Sequence, residues 1–555
     1  MPRPILLLIA CTIALPSAGC GAAMPHPFPN RDPMWIDHDR RPFAGRPAEL
    51  YTPPKWDVID NTIFRPLAEV WTFEQGREAI NVNAVDEVPD SSWFTNRAHH
   101  VSPEVIAQGA CGEDPPPPLP WRVIERKTLG TRAGFLMRAA DDSVWFVRTD
   151  EILREHATAS DAIATRLIWA AGYNTPCNRV AWMTPEDLIL APETDDEDAP
   201  TQADIDLVIR RASRALDGRL RVSLSRFIEG EPIGGWQFAG VREDDPNDVV
   251  PHEHRRDVRG MVVLSAWLNH IDTRAENNLD SWIEVGDGYG YVRHYVLDAS
   301  DSFGVVWRGS YLMSQRFGQS YYLDLPQIAA DLFTLGAIDR PYYVDDEERG
   351  FATDALGYYD VERFDPDSWR NGYPNRAFER ATERDRAWMA RIIAGLDEGN
   401  VRAAVATGHF TRPLHSGELV RILMGRRRAI LERYLTRLSP LANARTEGAQ
   451  LCVDDLAVVG GIRAPDERRY VARALRGWPS VPAGPLDVEA SGARACVSLP
   501  STDASAGAPA YWIIELVAST AGRETTGPAR VHLYQLGPRS YRVVGLERPE
   551  PEARD

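Results

Sequence analysis

His270, Asp272 and Asn277 stand at the spacing H-x-D-x4-N, and Asp298 and Asp301 follow the next apolar run, Tyr295-Val296-Leu297. An Asp on such a loop can orient or deprotonate a hydroxyl nucleophile. An Asn five residues on and an Asp at a strand end are oxygen ligands of the kind that hold Mg2+ beside a phosphate. Asp272 and Asp298 lie 26 positions apart, enough for a hairpin between them. The competing reading is a loop rich in Asx turns after a helix, because Asp and Asn favour such turns on their own account.

Histidines offer a second chemistry. His252, His254, His270 and His294 fall within 43 residues. With Asp272 and Asp298 they have ligand types and spacings suited to a metal-dependent hydrolase. Against that, His254 shares a helical face with Val258. No G-x-S-x-G or H-E-x-x-H motif occurs.

The elements that must position these groups follow from pattern. Trp121–Glu125, a turn carrying Gly130 and Gly134, Phe135–Met137 and Val144–Arg148 read as strand, turn, strand, strand. A helix follows with Leu153, Ala157, Ile163, Leu167 and Ala171 broadly on one face, ended by Gly172 and Pro176. Strands are predicted at 180–183, 188–190 and 220–228, with an acidic solvated loop at 193–198. Pro251 opens a helix that delivers the chain to His270. Helices are clearest at 377–396 and 417–438, where Arg426-Arg427-Arg428 reads as a solvated face. From about 450 short alternating runs return as a small β domain.

That order of elements resembles a protein-kinase-like fold, and of its branches the atypical, HipA-like one. The blocks Asp86–Phe94, Trp169–Pro176, Asp244–Asp248 with His252–Arg256, and Trp267–Asp272 are similar to those of a myxobacterial-type group of extracytoplasmic proteins, over roughly 80–440. The resemblance implies an α+β chain with a β-rich N-lobe over 121–235 and a helical C-lobe over 236–445. A wrapping extension with a Pro-rich connector (21–120) would precede them, and a β domain (446–555) would follow. It implies Asp272 as catalytic carboxylate, Asn277 and Asp298 as Mg2+ ligands, and Gly130 and Gly134 as the turn over ATP phosphates. Arg148 stands where kinases carry the nucleotide lysine, with Asp161 or Glu155 as its acid. Glu229, the acid of the linker after 220–228, completes the nucleotide set. Lys55 and Lys127 are the only lysines, so 60 of 62 basic residues are arginine. Lys127 is then a relocated lysine, as in with-no-lysine kinases, or a chance survivor. The expected function is a Mg-ATP-dependent phosphotransferase, with an inactive pseudokinase scaffold as the alternative and the histidine metal-dependent hydrolase as a further one.

The start places Arg3 before the apolar run Ile5–Ala10, a secretory signal too short to span a bilayer. Ser17-Ala18-Gly19-Cys20-Gly21 resembles a bacterial lipobox, which implies cleavage after 19, acylation of Cys20 and, from Gly21, the outer membrane. Ser17 departs from the usual Leu. Leu8-Ile9-Ala10-Cys11 also fits but leaves the apolar run too short. In an oxidising compartment Cys452 and Cys496, on strand-like runs of one segment, are the favoured disulfide; Cys111 and Cys177 pair or stay thiols. The 555 residues predict several domains. The net charge of −18 excludes nucleic acid as a partner. Trp35, Trp56, Trp71 and Trp93 predict that the N-terminal extension packs on the body.

Overall fold

The computed structural model describes residues 26–69, 76–98, 101–127, 132–150, 152–192, 198–307, 311–338, 351–502, 509–521 and 525–550. The chain is mixed α+β with several sheets. The elements around the candidate site begin with β1 (Trp121–Arg126), β2 (Gly134–Arg138), β3 (Val144–Arg148), α1 (His156–Ala170), β4 (Asn178–Met183) and β5 (Leu188–Leu190). They continue with α2 (Gln202–Arg211), β6 (Leu220–Arg226), α3 (Arg256–Leu268), β7 (Asn278–Gly286) and β8 (Tyr289–Val296).

Six of these strands form one sheet in the order β4-β6-β3-β2-β1-β5, and Ser213–Arg214 pairs with the start of β6. Only the β1–β5 pairing is parallel. Alternate residues Trp121, Val123, Phe135, Met137, Trp145 and Val147 point into a core closed by Ile205 and Val208 of α2. On the side of α1, the helix is buried almost all round. A helix without a solvent face must be sandwiched, and α1 packs between the sheet and a helical body whose core includes Ile163, Leu167, Trp267, Trp388 and Leu423.

The hairpin β7–β8 joins Phe43–Ala44 and Glu231–Pro232 in a second sheet. From Leu441 to Glu547 two antiparallel sheets of four and five strands pack face to face over Leu451, Val453, Val497, Ile514, Val531 and Leu533. Cys452–Cys496 joins register partners within this sandwich, and Cys111–Cys177 ties the Pro-rich connector to the residue before β4.

Several sequence expectations shift. The helix expected over 377–396 is two, Arg376–Glu379 and Glu383–Ala394, because Thr382 caps the second through a capping box with Asp385. The helix expected at 417–438 is Pro413–Tyr434, opened by proline at its first position. Arg426 and Arg427 are buried rather than solvated; Arg427 donates to the Ile393, Ala394 and Gly460 carbonyls, capping a neighbouring helix end. Of that run only Arg428 faces solvent, paired to Glu432.

The N-terminal extension does wrap the body, but Trp35 and Trp56 stay exposed and only Trp93 of the described tryptophans there is buried; Trp71 lies outside the described residues. Polar groups do much of the fastening. Asp39 accepts from Ser92, Asn81 donates to Asp257, and Asp86 meets Arg256, Arg391 and Arg548.

Candidate functional site

The loop after α3 is shaped by its neighbours before it does any chemistry. Asn269 ends α3 in the left-handed conformation, φ 53°, which Asn tolerates better than most side chains. Its Oδ1 accepts from Trp369 Nε1 at 3.0 Å. Asp301 then clamps the turn. Its Oδ1 meets His270 Nδ1 at 2.6 Å, and its Oδ2 accepts the Ile271 and Asp272 N–H groups at 2.7 and 2.9 Å. Thr273 donates to Asn371 at 2.8 Å, and the Gly372 N–H reaches the Ile271 carbonyl at 2.7 Å.

Asn277 joins this loop to the strand end that carries Asp298. Its Nδ2 donates to the Asp272 carbonyl at 2.6 Å, while its own carbonyl accepts from the Leu297 and Asp298 N–H groups at 2.9 and 3.1 Å. Asp272, Asn277 and Asp298 therefore lie in one locality, connected through Asn277.

Across from them, the sheet supplies two guanidiniums. Arg148, at the end of β3, contacts Asp298 Oδ2 through Nη1 at 2.6 Å and Asp161 Oδ1 through Nη2 at 3.5 Å. Arg132, before β2, contacts Asp161 Oδ2 at 3.1 Å and Asp298 Oδ2 at 3.6 Å. Asp161, fully buried on α1, also accepts from Ser223 of β6 at 2.7 Å. Two arginines and two aspartates thus close a four-membered ring of alternating charge. Asp298 Oδ1 is meanwhile bound by the Ser300 N–H at 2.9 Å.

This arrangement is a poor fit for Mg2+. A magnesium ion needs anionic oxygens open to it in near-octahedral order. Here both Asp298 oxygens are engaged, Oδ2 by guanidinium and Oδ1 by the Ser300 N–H. Both arginines sit on Asp298 Oδ2, so an ion sharing that oxygen would have to displace them.

The electrostatics separate the two acids. Burial opposes ionisation of both, but Arg148 and Arg132 hold the Asp298 carboxyl well below the usual range. For Asp272 burial prevails; with Asp301 adding to it, the carboxyl is pushed up to about 6 in spite of Arg274 at 3.1 Å. Burial lowers His270, but Asp301, with Asp272 and Asp298, leaves it raised overall. A carboxyl raised in the fold is ionised at a cost above its folded value, and that cost fades as the pH falls toward the ordinary range near 4. Asp272→Asn is therefore expected to stabilise the chain at pH 7.5 by about 2 kcal/mol. The gain should shrink to nothing near pH 4, as read from thermal unfolding at the two pH values.

The remaining predicted residues are dispersed. Gly130 lies outside the described residues, as does Cys20. Gly134 is required by close approach, because a Cβ there would sit 2.3 Å from the Val147 carbonyl. Lys127 donates to the Arg132 carbonyl at 3.0 Å, so the cation that this turn sends to Asp298 is Arg132. Glu155 binds Thr411 rather than Arg148. Glu229 is largely exposed and pairs with Arg293 at 2.5 Å.

The four histidines do not converge. His252 pairs with Asp248 and His294 with Asp280, with Trp93 packed against both rings; His254 meets Arg259, and His270 meets Asp301. Among the described residues no group of three His, Cys, Asp or Glu could hold a metal ion.

Sequence reasoning missed Arg132, and noted Asp301 without a role. Arg132 had no signal beyond its place between two glycines; Asp301 had one, a second acid three residues after Asp298. Compared with family models, curated proteins and solved structures, the chain matches none.

Proposed function

We propose that this chain is a kinase-like pseudoenzyme held at the bacterial envelope through an acylated Cys20, working as a binding module rather than a Mg-ATP phosphotransferase. The kinase-like reading is supported by a sheet whose first three strands run antiparallel and whose third ends in Arg148, paired with the acid of the next helix. It is supported too by the H-x-D-x4-N loop tied through Asn277 to a strand-end Asp. One observation carries the inactive reading: Arg148 and Arg132 together occupy Asp298, the acid that would have to hold the metal.

The specific observation favouring the active alternative is Asp272, whose carboxyl near 6 has the proton affinity of a general base at neutral pH. Mg-ATP titration followed by thermal unfolding decides between them. Binding at a hundred times Kd adds about 2.7 kcal/mol to the bound form, enough for a shift of several degrees. The expected result is no shift at millimolar Mg-ATP. A clear upward shift that Asp298→Ala abolishes would establish a nucleotide site and overturn the proposal.

A further inference from the structure

The helical stretch of the N-terminal extension is turned inside out. It runs as Pro54–Ile59, a π turn over Asp60–Phe64 and Arg65–Glu69. Its buried side is polar: Asp57 and Thr62 face the body, and Asp57 is bonded to Tyr373 Oη and Asn61. Its outward side carries Trp56, Ile59, Phe64 and Leu67, each 42–62% exposed. The π turn matters here. Its wider i→i+5 step delays the rotation of the helix, so Phe64 returns beneath Trp56 instead of moving off the stripe. The two rings lie 5.6 Å apart.

A second helix, Leu325–Thr334, has no buried residue, and its Leu332 and Phe333 are 72% and 87% exposed. The two helices are rooted on adjacent residues of one segment, Gly372 and Tyr373. Tyr322, just before the second, donates its N–H to the Gly372 carbonyl, and Asp57 of the first accepts from Tyr373.

Two outward apolar ridges on neighbouring roots are an unusual expense of exposed area for a soluble surface. Trp, Phe, Ile and Leu along one side of a helix, with the exposed Lys55 beside them, are the composition of an interfacial helix. The chain between Cys20 and His26 can span at most about 20 Å, and His26 is fixed by stacking on Tyr511 at 4.2 Å. An anchor at Cys20 therefore keeps the body against a bilayer.

We infer that the helices Pro54–Glu69 and Leu325–Thr334 form a membrane-contacting face that lies in the headgroup region of a lipid surface. The inference rests on the anchor proposed for Cys20.

The test uses the full chain reconstituted with vesicles of phosphatidylethanolamine and phosphatidylglycerol, 7:3, containing acyl-brominated lipid. A fluorophore is attached through Phe64→Cys, Leu332→Cys or, as a control, Leu216→Cys, where the native side chain is 97% exposed on the hairpin that leads into β6. Quenching at positions 64 and 332 at least threefold that at 216 is expected. Floating protein with equal quenching at all three positions overturns the membrane face while leaving the anchor intact. Protein that does not float with the vesicles overturns the anchor, and the inference with it. Shielding of 64 and 332 without quenching, accompanied by dimers in sedimentation, would assign the ridges to a second copy of the chain and overturn the lipid assignment.

Discussion

Asp86→Ala is expected to destabilise the folded chain by about 4 kcal/mol, the scale at which a buried charge left without its partner is felt. Asp86 is the common counter-ion of three arginines from three separate parts of the molecule: Arg256 opens α3, Arg391 lies on Glu383–Ala394, and Arg548 follows the last strand of the sandwich. All three are almost wholly buried. Its backbone carbonyl also accepts from Arg256 and Arg391 at 3.1 and 3.0 Å. Glu87 holds Arg391 at 2.9 Å and would retain part of the network.

Asp86 also has φ 62°, so alanine adds backbone strain that asparagine largely avoids. Asp86→Asn thus isolates the charge, and its loss should be the smaller of the two. Arg256 and Arg548 hold the Asp86 carboxyl well below its usual range against the effect of burial. A depressed carboxyl stabilises fully above its unfolded value and loses that contribution as the pH falls through its folded one. The gap between wild type and Asp86→Asn should therefore be full at pH 7 and narrow below about pH 4. Thermal unfolding read across that range checks the size and the sign together. A difference below about 1 kcal/mol at pH 7 would mean that the three arginines are satisfied without Asp86.

That hub shows where sequence reading stops. The strands of the first sheet were legible because alternation is a local signal; Trp121, Val123, Phe135, Met137, Trp145 and Val147 point the same way at period two. The loop at Asp272 was legible because its chemistry is local too, with His, Asp and Asn within eight residues. The strand Arg468–Arg476 was overlooked because arginines occupy four of its nine positions and mask the alternation, although Ala472 and Ala474 face the sandwich core. The helix Gln202–Arg211 was overlooked beside an acidic loop, with only Ile205 and Val208 buried.

Ion pairs leave no period at all. Arg148 and Asp298 are 150 positions apart, and Asp86 and Arg548 are 462 apart. In a chain where arginine replaces nearly all lysine, no local feature distinguishes a structural guanidinium from a solvated one. Arg426 and Arg427 were misread for that reason; their partners are backbone carbonyls contributed by other elements.

The same long-range pairing makes the stability of an Asp298 variant a test of function. In a site kept open for a metal, acids crowd together and repel, so removing one relieves the fold. Here Asp298 instead neutralises Arg148 and lies within 3.6 Å of Arg132. Asp298→Asn would leave both guanidiniums to share Asp161, with one excess positive charge in a largely shielded site. The expected result is a loss of about 3 kcal/mol at pH 7, at the lower end for a broken buried pair because the Asp298 side chain keeps some access to water. Its carboxyl is held well below the usual range by Arg148 and Arg132. The loss should accordingly be complete above about pH 4 and fade as the pH falls further. Asp272→Asn is expected to move stability in the opposite direction over the same acids, since burial raises that carboxyl. Opposite signs at positions 298 and 272, measured side by side at pH 7, would mark Asp298 as part of a charge lock and Asp272 as the group held at a cost. If Asp298→Asn also stabilises, the arginines do not neutralise it in solution, and the site is open to a divalent ion after all.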